Sequence, residues 1–189
     1  MDDISLSFAR EIASRTGGEL VSYFRHEFED GMLGTAAFSD CRRFRYALSR
    51  TIGPGPIAVC LGLNPSKAGA DVTDQTINKM IGFSRVFGWG GFIMLNAYAY
   101  IATDPKDLKA AGYPAGPSND SHIRAALERS DGPVICAWGS NARKLARPAE
   151  LRQLIADAGK KAMAFRLSKD GTPWHPLYLP YNIKLVEMP

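Results

Sequence analysis

The run Val59-Cys60-Leu61-Gly62-Leu63-Asn64-Pro65-Ser66 constrains this chain more than any other segment. A short apolar run closed by Gly and Pro reads as a buried strand ending in a tight turn. In an open α/β sheet, ligands bind outside the carboxyl ends of the strands. Pro65 fixes its own φ and biases Asn64 toward extended backbone, so an amide is held rigidly at that end. An Asn-Pro turn with no chemistry has the same pattern, and this segment alone leaves both readings open.

Two further segments repeat the design. Gly91-Phe92-Ile93-Met94-Leu95-Asn96 is an apolar run ending in Asn, and Val134-Ile135-Cys136-Ala137-Trp138-Gly139-Ser140-Asn141 ends in a Gly-Ser turn. Three strands that deliver polar groups from the same end imply a shared crevice. Near the C-terminus, Thr172-Pro173-Trp174-His175-Pro176-Leu177 adds a histidine in a proline-braced loop.

Between these strands the periodicity alternates. Ile4, Phe8 and Ile12 predict an amphipathic helix over 2–15 that stops at Gly17-Gly18. Residues 19–51 predict strands forming a hairpin. Strands follow at 57–62, 91–96, 133–137 and 161–165. Helices are predicted at about 74–87, from Ser118 through about 130, and from 140 or 148 to 158, with 97–117 irregular. The expectation is one domain over 1–189, with an N-terminal helix and hairpin (1–52) and a core (55–180). Alternating elements imply α/β layers around a mainly parallel sheet.

Composition bounds the function. A chain of 189 residues that is 46% hydrophobic builds a core without staples. Cys41, Cys60 and Cys136 are odd in number and lack CxxC spacing, which suits a reducing cytoplasm. No leader or membrane-length apolar run is visible. The histidines at 26, 122 and 175 are too scattered in sequence to suggest a metal site, and neither a metal nor another cofactor is expected. The net charge of +4 is compatible with nucleic acid. Arg42, Arg43, Arg45 and Arg50 cluster before the first motif, and Arg143, Lys144, Arg147 and Arg152 after the third. Each cluster is either a solvated face or a phosphate-neutralising one.

The order of these pieces resembles the uracil-DNA glycosylase superfamily. Gly62-Leu63-Asn64-Pro65-Ser66 is similar to its first motif, in the mismatch-specific form. Met94-Leu95-Asn96 resembles the strand whose Asn reads the base. Ala137-Trp138-Gly139-Ser140-Asn141-Ala142 and His175-Pro176-Leu177 resemble two later motifs. The likeness spans roughly residues 55–180. Leu-Asn-Pro-Ser and Trp-Gly also resemble a little-characterised bacterial and phage family.

The resemblance implies a three-layer α/β/α sandwich and a monofunctional DNA glycosylase acting on a flipped nucleotide. It places Asn64 at the attacking water and His175 at the base carbonyl as charge develops there. Asp74 is a candidate carboxylate for catalysis, with Asp71 as its alternative; Asp74 is also a natural helix cap. Asn96 has a donor and an acceptor for a pyrimidine edge, or ends its strand in a local turn. Gly62, Leu63, Pro65 and Ser66 complete the expected base pocket. Ser66 stands where the strict uracil enzymes carry a bulky Tyr, so the pocket is expected to admit a damaged, mismatched or C5-modified pyrimidine. Modified phage DNA, and hence antiviral defence, is one source of such bases. Ser140, Arg143, Lys144 and Arg147 are expected on phosphates, with Leu177 and Tyr178 wedged into the vacated stack or packed in the core. The expected state is a cytoplasmic monomer with DNA as partner and no membrane. The alternatives are a non-catalytic nucleic-acid module and a hydrolase of free nucleosides or nucleotides.

Overall fold

Three consecutive strands open the architecture: β1 (Val21–Glu27), β2 (Leu33–Ser39) and β3 (Arg45–Thr51). This computed structural model describes residues 19–189, so the helix expected over 2–15 lies outside the described residues. The links between these strands are a few residues long, too short for a crossover, and both pairings are antiparallel.

The next elements alternate. β4 (Ile57–Gly62) leads to helix α1 (Gln75–Phe87) and β5 (Gly91–Asn96). A short helix α2 (Pro105–Ala110) and α3 (Asn119–Arg129) lead to β6 (Val134–Cys136). A 3-10 turn (Ser140–Ala142) and α4 (Arg147–Asp157) lead to β7 (Ala162–Ala164). A second 3-10 turn (Pro176–Tyr178) precedes β8 (Val186–Glu187). Helix α2 and strand β8 are among the elements not expected. Asp104-Pro105 reads as a loop signal, yet Asp104 caps α2 by accepting from the Lys106 N–H, with Pro105 in the first turn. The two-residue β8 is too short for any periodicity to reveal.

All eight strands form one sheet in the order β1-β2-β3-β5-β4-β6-β7-β8. The expected mainly parallel three-layer sandwich is thereby corrected. The sheet is mixed, with four antiparallel pairings (β1–β2, β2–β3, β3–β5, β7–β8) against three parallel ones. The reason is the segment read as an appended hairpin. It is a three-stranded meander whose last strand joins β5 edge to edge, Leu48 opposite Met94. Local periodicity identifies such strands but carries no information on which edge they join.

Side-chain alternation splits the core between the sheet's two faces. Ala58, Cys60, Phe92 and Met94 pack with Ile77, Met80 and Phe83 of α1. Val59, Leu61, Ile93 and Leu95 pack with Ile123 and Leu127 of α3 and with Leu151 and Ile155 of α4. Helix α1 starts where Asp74 accepts from the Ile77 N–H at 2.9 Å and stops at Gly88, whose φ of 70° is left-handed. Cys60 and Cys136 are fully buried, and burial pushes the Cys60 thiol up to about 12, so both act as small apolar residues.

The topology places the site. From β4 the chain crosses to β5 on one side; from β6 it crosses to β7 on the other. Strand order therefore reverses between β4 and β6, and a crevice opens beyond their carboxyl ends. Gly62 and Asn96 are register partners at the last step of the β4–β5 ladder, on the α1 face.

Candidate functional site

A cavity of about 230 Å³ occupies the crevice. From β4 and its loop come Gly62, Leu63, Asn64 and Ser66; from β5, Met94 and Asn96; from the end of β6, Trp138 through Asn141. Asp74, Thr76 and Ile77 bring the N-terminus of α1 to the wall, and His175 closes one side. A second hollow, of about 80 Å³, lies on the β1–β3 flank away from these strand ends.

The floor is built by a glycine. A Cβ on Gly62 would lie 2.8 Å from Met94 Cε and 2.9 Å from Asn96 Oδ1, so any larger residue would fill the space over that amide. Asn96 is 1% exposed, and among the described residues neither its Nδ2 nor its Oδ1 has a hydrogen-bond partner. A buried amide that leaves both groups unmade costs stability. Its backbone, by contrast, is pinned. Asn119 Nδ2 donates to the carbonyls of Asn96 (3.0 Å) and Ala97 (3.2 Å), and Arg147 Nε donates to Ala97 at 2.9 Å. The amide is thus fixed in place while its recognition edge is unspent.

Asn64 is oriented by its nitrogen. Nδ2 donates to the carbonyls of Ala102 (2.7 Å) and Pro65 (3.1 Å). Two acceptors on one side require the NH₂ there, which leaves Oδ1 as the atom able to accept from a water or ligand. Pro65 is buried and its carbonyl also receives the Ala102 N–H, tying the loop to the segment after β5.

His175 accepts the Leu177 N–H at Nδ1 (3.3 Å), so its own proton sits on Nε2. Burial lowers its pKa, and the charge of Asp74 only partly opposes this, so the ring is a neutral donor at pH 7. Gly139, at φ 73°, packs against it; a Cβ there would meet His175 Cβ at 3.3 Å. Asp74 is the α1 cap and also lines the cavity. Asp71 is exposed and does not line the cavity.

The sequence groups Arg45 and Arg50 with Arg42 and Arg43 in a basic cluster, expected on a solvated or phosphate-neutralising face. Both are buried, at 3% and 0% exposure. Arg45 lines the cavity and donates through Nη1 to the Ala68 carbonyl at 2.8 Å. Arg50 donates through Nη2 to the carbonyls of Gly69 (2.8 Å) and Val72 (3.0 Å). Together they clamp the loop between β4 and α1. The available signal was their position inside an otherwise apolar strand, Arg-Tyr-Ala-Leu-Ser-Arg.

The residues expected on phosphates divide. Ser140 is exposed at the cavity mouth, and Lys144 is exposed nearby in sequence. Arg143 is exposed and paired with Asp170 at 2.5 Å. Arg147 does not belong with them. It is 7% exposed, paired with Asp120 and with Glu150 (2.9 Å), and committed to the Ala97 carbonyl. Its role is to hold the end of β5. Leu177 is half-buried, whereas Tyr178 is 87% exposed on the turn beside His175. Among the described residues there is no group of three His, Cys, Asp or Glu able to hold a metal, and no helix is long and apolar enough to cross a membrane.

The chain belongs to the DUF1643 family, described as proteins of unknown function, which it matches over residues 45–177. That span contains every residue named above as lining the crevice cavity. No curated protein matches the chain. Among solved structures it is similar to a chain of the hetero-hexameric glutamate dehydrogenase from Thermus thermophilus, in its Leu-bound form, at 12% identity and a TM-score of 0.29. The match covers 85% of this chain and 40% of that one, and at that level it carries no argument about fold or activity.

Proposed function

We propose that this member of the DUF1643 family is a DNA glycosylase that hydrolyses the N-glycosidic bond of a damaged, mismatched or C5-modified pyrimidine. The observation that carries the reading is the Asn96 amide, buried with its donor and acceptor both unpaired on the floor of a cavity at the strand switch point. A pyrimidine edge presents the complementary acceptor and donor side by side. The similarity of the Asn64, Asn96, Trp138 and His175 segments to uracil-DNA glycosylase motifs supports the same reading.

Each group has a task in that reaction. The base must leave the stack before its bond is accessible. Asn64 Oδ1 accepts from the attacking water and aims it at C1′. An amide is too weak a base to deprotonate water early, so the C1′–N bond breaks first, its electron pair leaving on the base. The negative charge of Asp74 favours the cationic sugar that results. His175 Nε2–H donates to the base carbonyl where the negative charge collects. The water oxygen then bonds to C1′ and releases its proton, and the departed base takes one up. Ser66 leaves the cavity open beside the ring, and Tyr178 is exposed where an aromatic ring can fill the vacated stack.

The test is incubation with oligonucleotides carrying unsubstituted and C5-substituted pyrimidines, single- and double-stranded, followed by alkaline cleavage at abasic sites. The expected result is excision by the wild type and a loss of about 10² or more in single-turnover rate for Asn64→Ala, with DNA affinity nearly unchanged. Folded protein that leaves every such base in place overturns the reading. Release of base from free nucleosides or nucleotides alone would assign the cavity to a nucleoside hydrolase instead.

A further inference from the structure

Arg45 is a buried cation whose charge the fold does not fully use. Arg45 lines the cavity with Gly62 and Asn96, yet among the described residues only its Nη1 meets an acceptor at hydrogen-bond length, the Ala68 carbonyl. Nε is buried and has no partner. Among the described residues no carboxylate forms an ion pair with it. Asp74 stabilises its charge through space, and Arg50 opposes it. Burial lowers its pKa to about 10, which still leaves it charged at neutral pH.

The other buried arginines are treated differently. Arg147 has two carboxylates and a carbonyl. Arg50 spends its terminal nitrogens on Ser49, Gly69, Val72 and Thr73; its Nε is also unpartnered, but it lines the smaller hollow on the β1–β3 flank and not the crevice cavity. Asp74 acts on both guanidinium groups and Asp71 on Arg50 as well, so Arg45, which lines the cavity, has the weaker counter-charge and keeps an unspent Nε. A charge taken out of water without a partner is expensive unless something else supplies the counter-charge.

We propose that Arg45 forms an anion subsite at the floor of the cavity, beside the Asn96 amide, so that the ligand is a pyrimidine bearing a carboxylate or phosphate group. The pyrimidine part rests on the function proposed above; the anion part rests on Arg45 alone. Arg45 offers paired donors in a plane, the geometry that matches carboxylate and phosphate oxygens. Asn96 then reads the lactam edge of the ring. The anion is either borne on the ring or carried by the sugar phosphate, and the cavity of about 230 Å³ favours the smaller, ring-borne group.

Calorimetric titration of the full chain separates these. The probes are uracil, its 5- and 6-carboxy derivatives, deoxyuridine 5′-monophosphate and inorganic phosphate. In the wild type, at least one anionic pyrimidine is expected to bind ten-fold or more tighter than uracil. Arg45→Gln, which keeps a donor for Ala68, removes that advantage, and Arg45→Lys, which keeps the charge, retains part of it. Preference for a carboxyuracil assigns the anion to the ring; preference for the monophosphate, with phosphate alone also bound, assigns it to the sugar. Equal wild-type affinity for uracil and every anionic probe overturns the subsite, as does an advantage that survives Arg45→Gln. Should Arg45→Gln not fold, the wild-type comparison decides alone. Phosphate binding with no pyrimidine binding leaves the anion part standing and overturns the pyrimidine part; excision without anion preference overturns the anion part and leaves the glycosylase reading standing.

Discussion

Replacing Asn96 by Leu should make this protein more stable and less able to bind its ligand. The side chain is 1% exposed and both amide atoms lack a partner. An unsatisfied buried polar group costs about 1–3 kcal/mol. Leu has nearly the same shape and carries no polar atoms, so that cost disappears. Against this stands overpacking beside Met94, which can cost about 1–3 kcal/mol. The adjoining cavity gives the new methyl groups room, which keeps the strain at the low end of that range. The net expectation is a gain of about 1 kcal/mol, or about 2–4 °C in Tm for a chain of this size. Urea denaturation measures it as a higher midpoint with an unchanged slope. Calorimetry on the same variant should show uracil binding lost. A decrease of about 1 kcal/mol or more would refute the reasoning, because it would mean the amide is hydrogen-bonded in the folded state. A gain in stability with uracil binding intact would leave the amide orphaned but remove it from recognition.

Three other perturbations follow from the same geometry. Gly62→Ala puts a methyl group against Met94 and Asn96 Oδ1, so it should abolish uracil binding in titrations while the circular dichroism spectrum is unchanged; intact binding would show that the cavity floor is not where the ligand sits. His122 is buried, its pKa pulled down to about 4 by desolvation. Unfolded chains take up that proton below about 6.5, so stability is flat above that pH and falls by about 3 kcal/mol as pH drops toward 4. His122→Gln should flatten this slope in urea titrations between pH 8 and pH 4, and an identical slope would assign the loss to other groups. Arg147→Leu should lower the urea midpoint, by about 3 kcal/mol, because it leaves Asp120 and the Ala97 carbonyl unpaired. The salt dependence of DNA binding should instead change on neutralising Lys144 and Arg143; a salt slope altered by Arg147→Leu at full stability would return it to the phosphate-contacting set.

The sequence alone determined several of the local elements and the residue types at their ends. β4, α1 and β5 fall where the apolar periods and the Asp74 and Gly88 caps place them, because those signals depend only on near neighbours along the chain. It also placed Asn64, Asn96, Ser140 and His175 at element ends, and the fold gathers all four around one cavity. Tertiary structure decided the rest. A strand's pattern says which side chains share a face but not which edge it joins, so the antiparallel β3–β5 pairing that makes the sheet mixed was invisible. Charge in a sequence does not reveal burial. Arg45, Arg50 and Arg147 read as surface cations until carbonyls from distant loops and two carboxylates came into reach. The orphaned Asn96 amide is likewise a product of register: it faces Gly62, which has no side chain to answer it. Hydrogen-bond satisfaction and ion pairing are properties of three-dimensional neighbourhoods, and only the assembled sheet creates them.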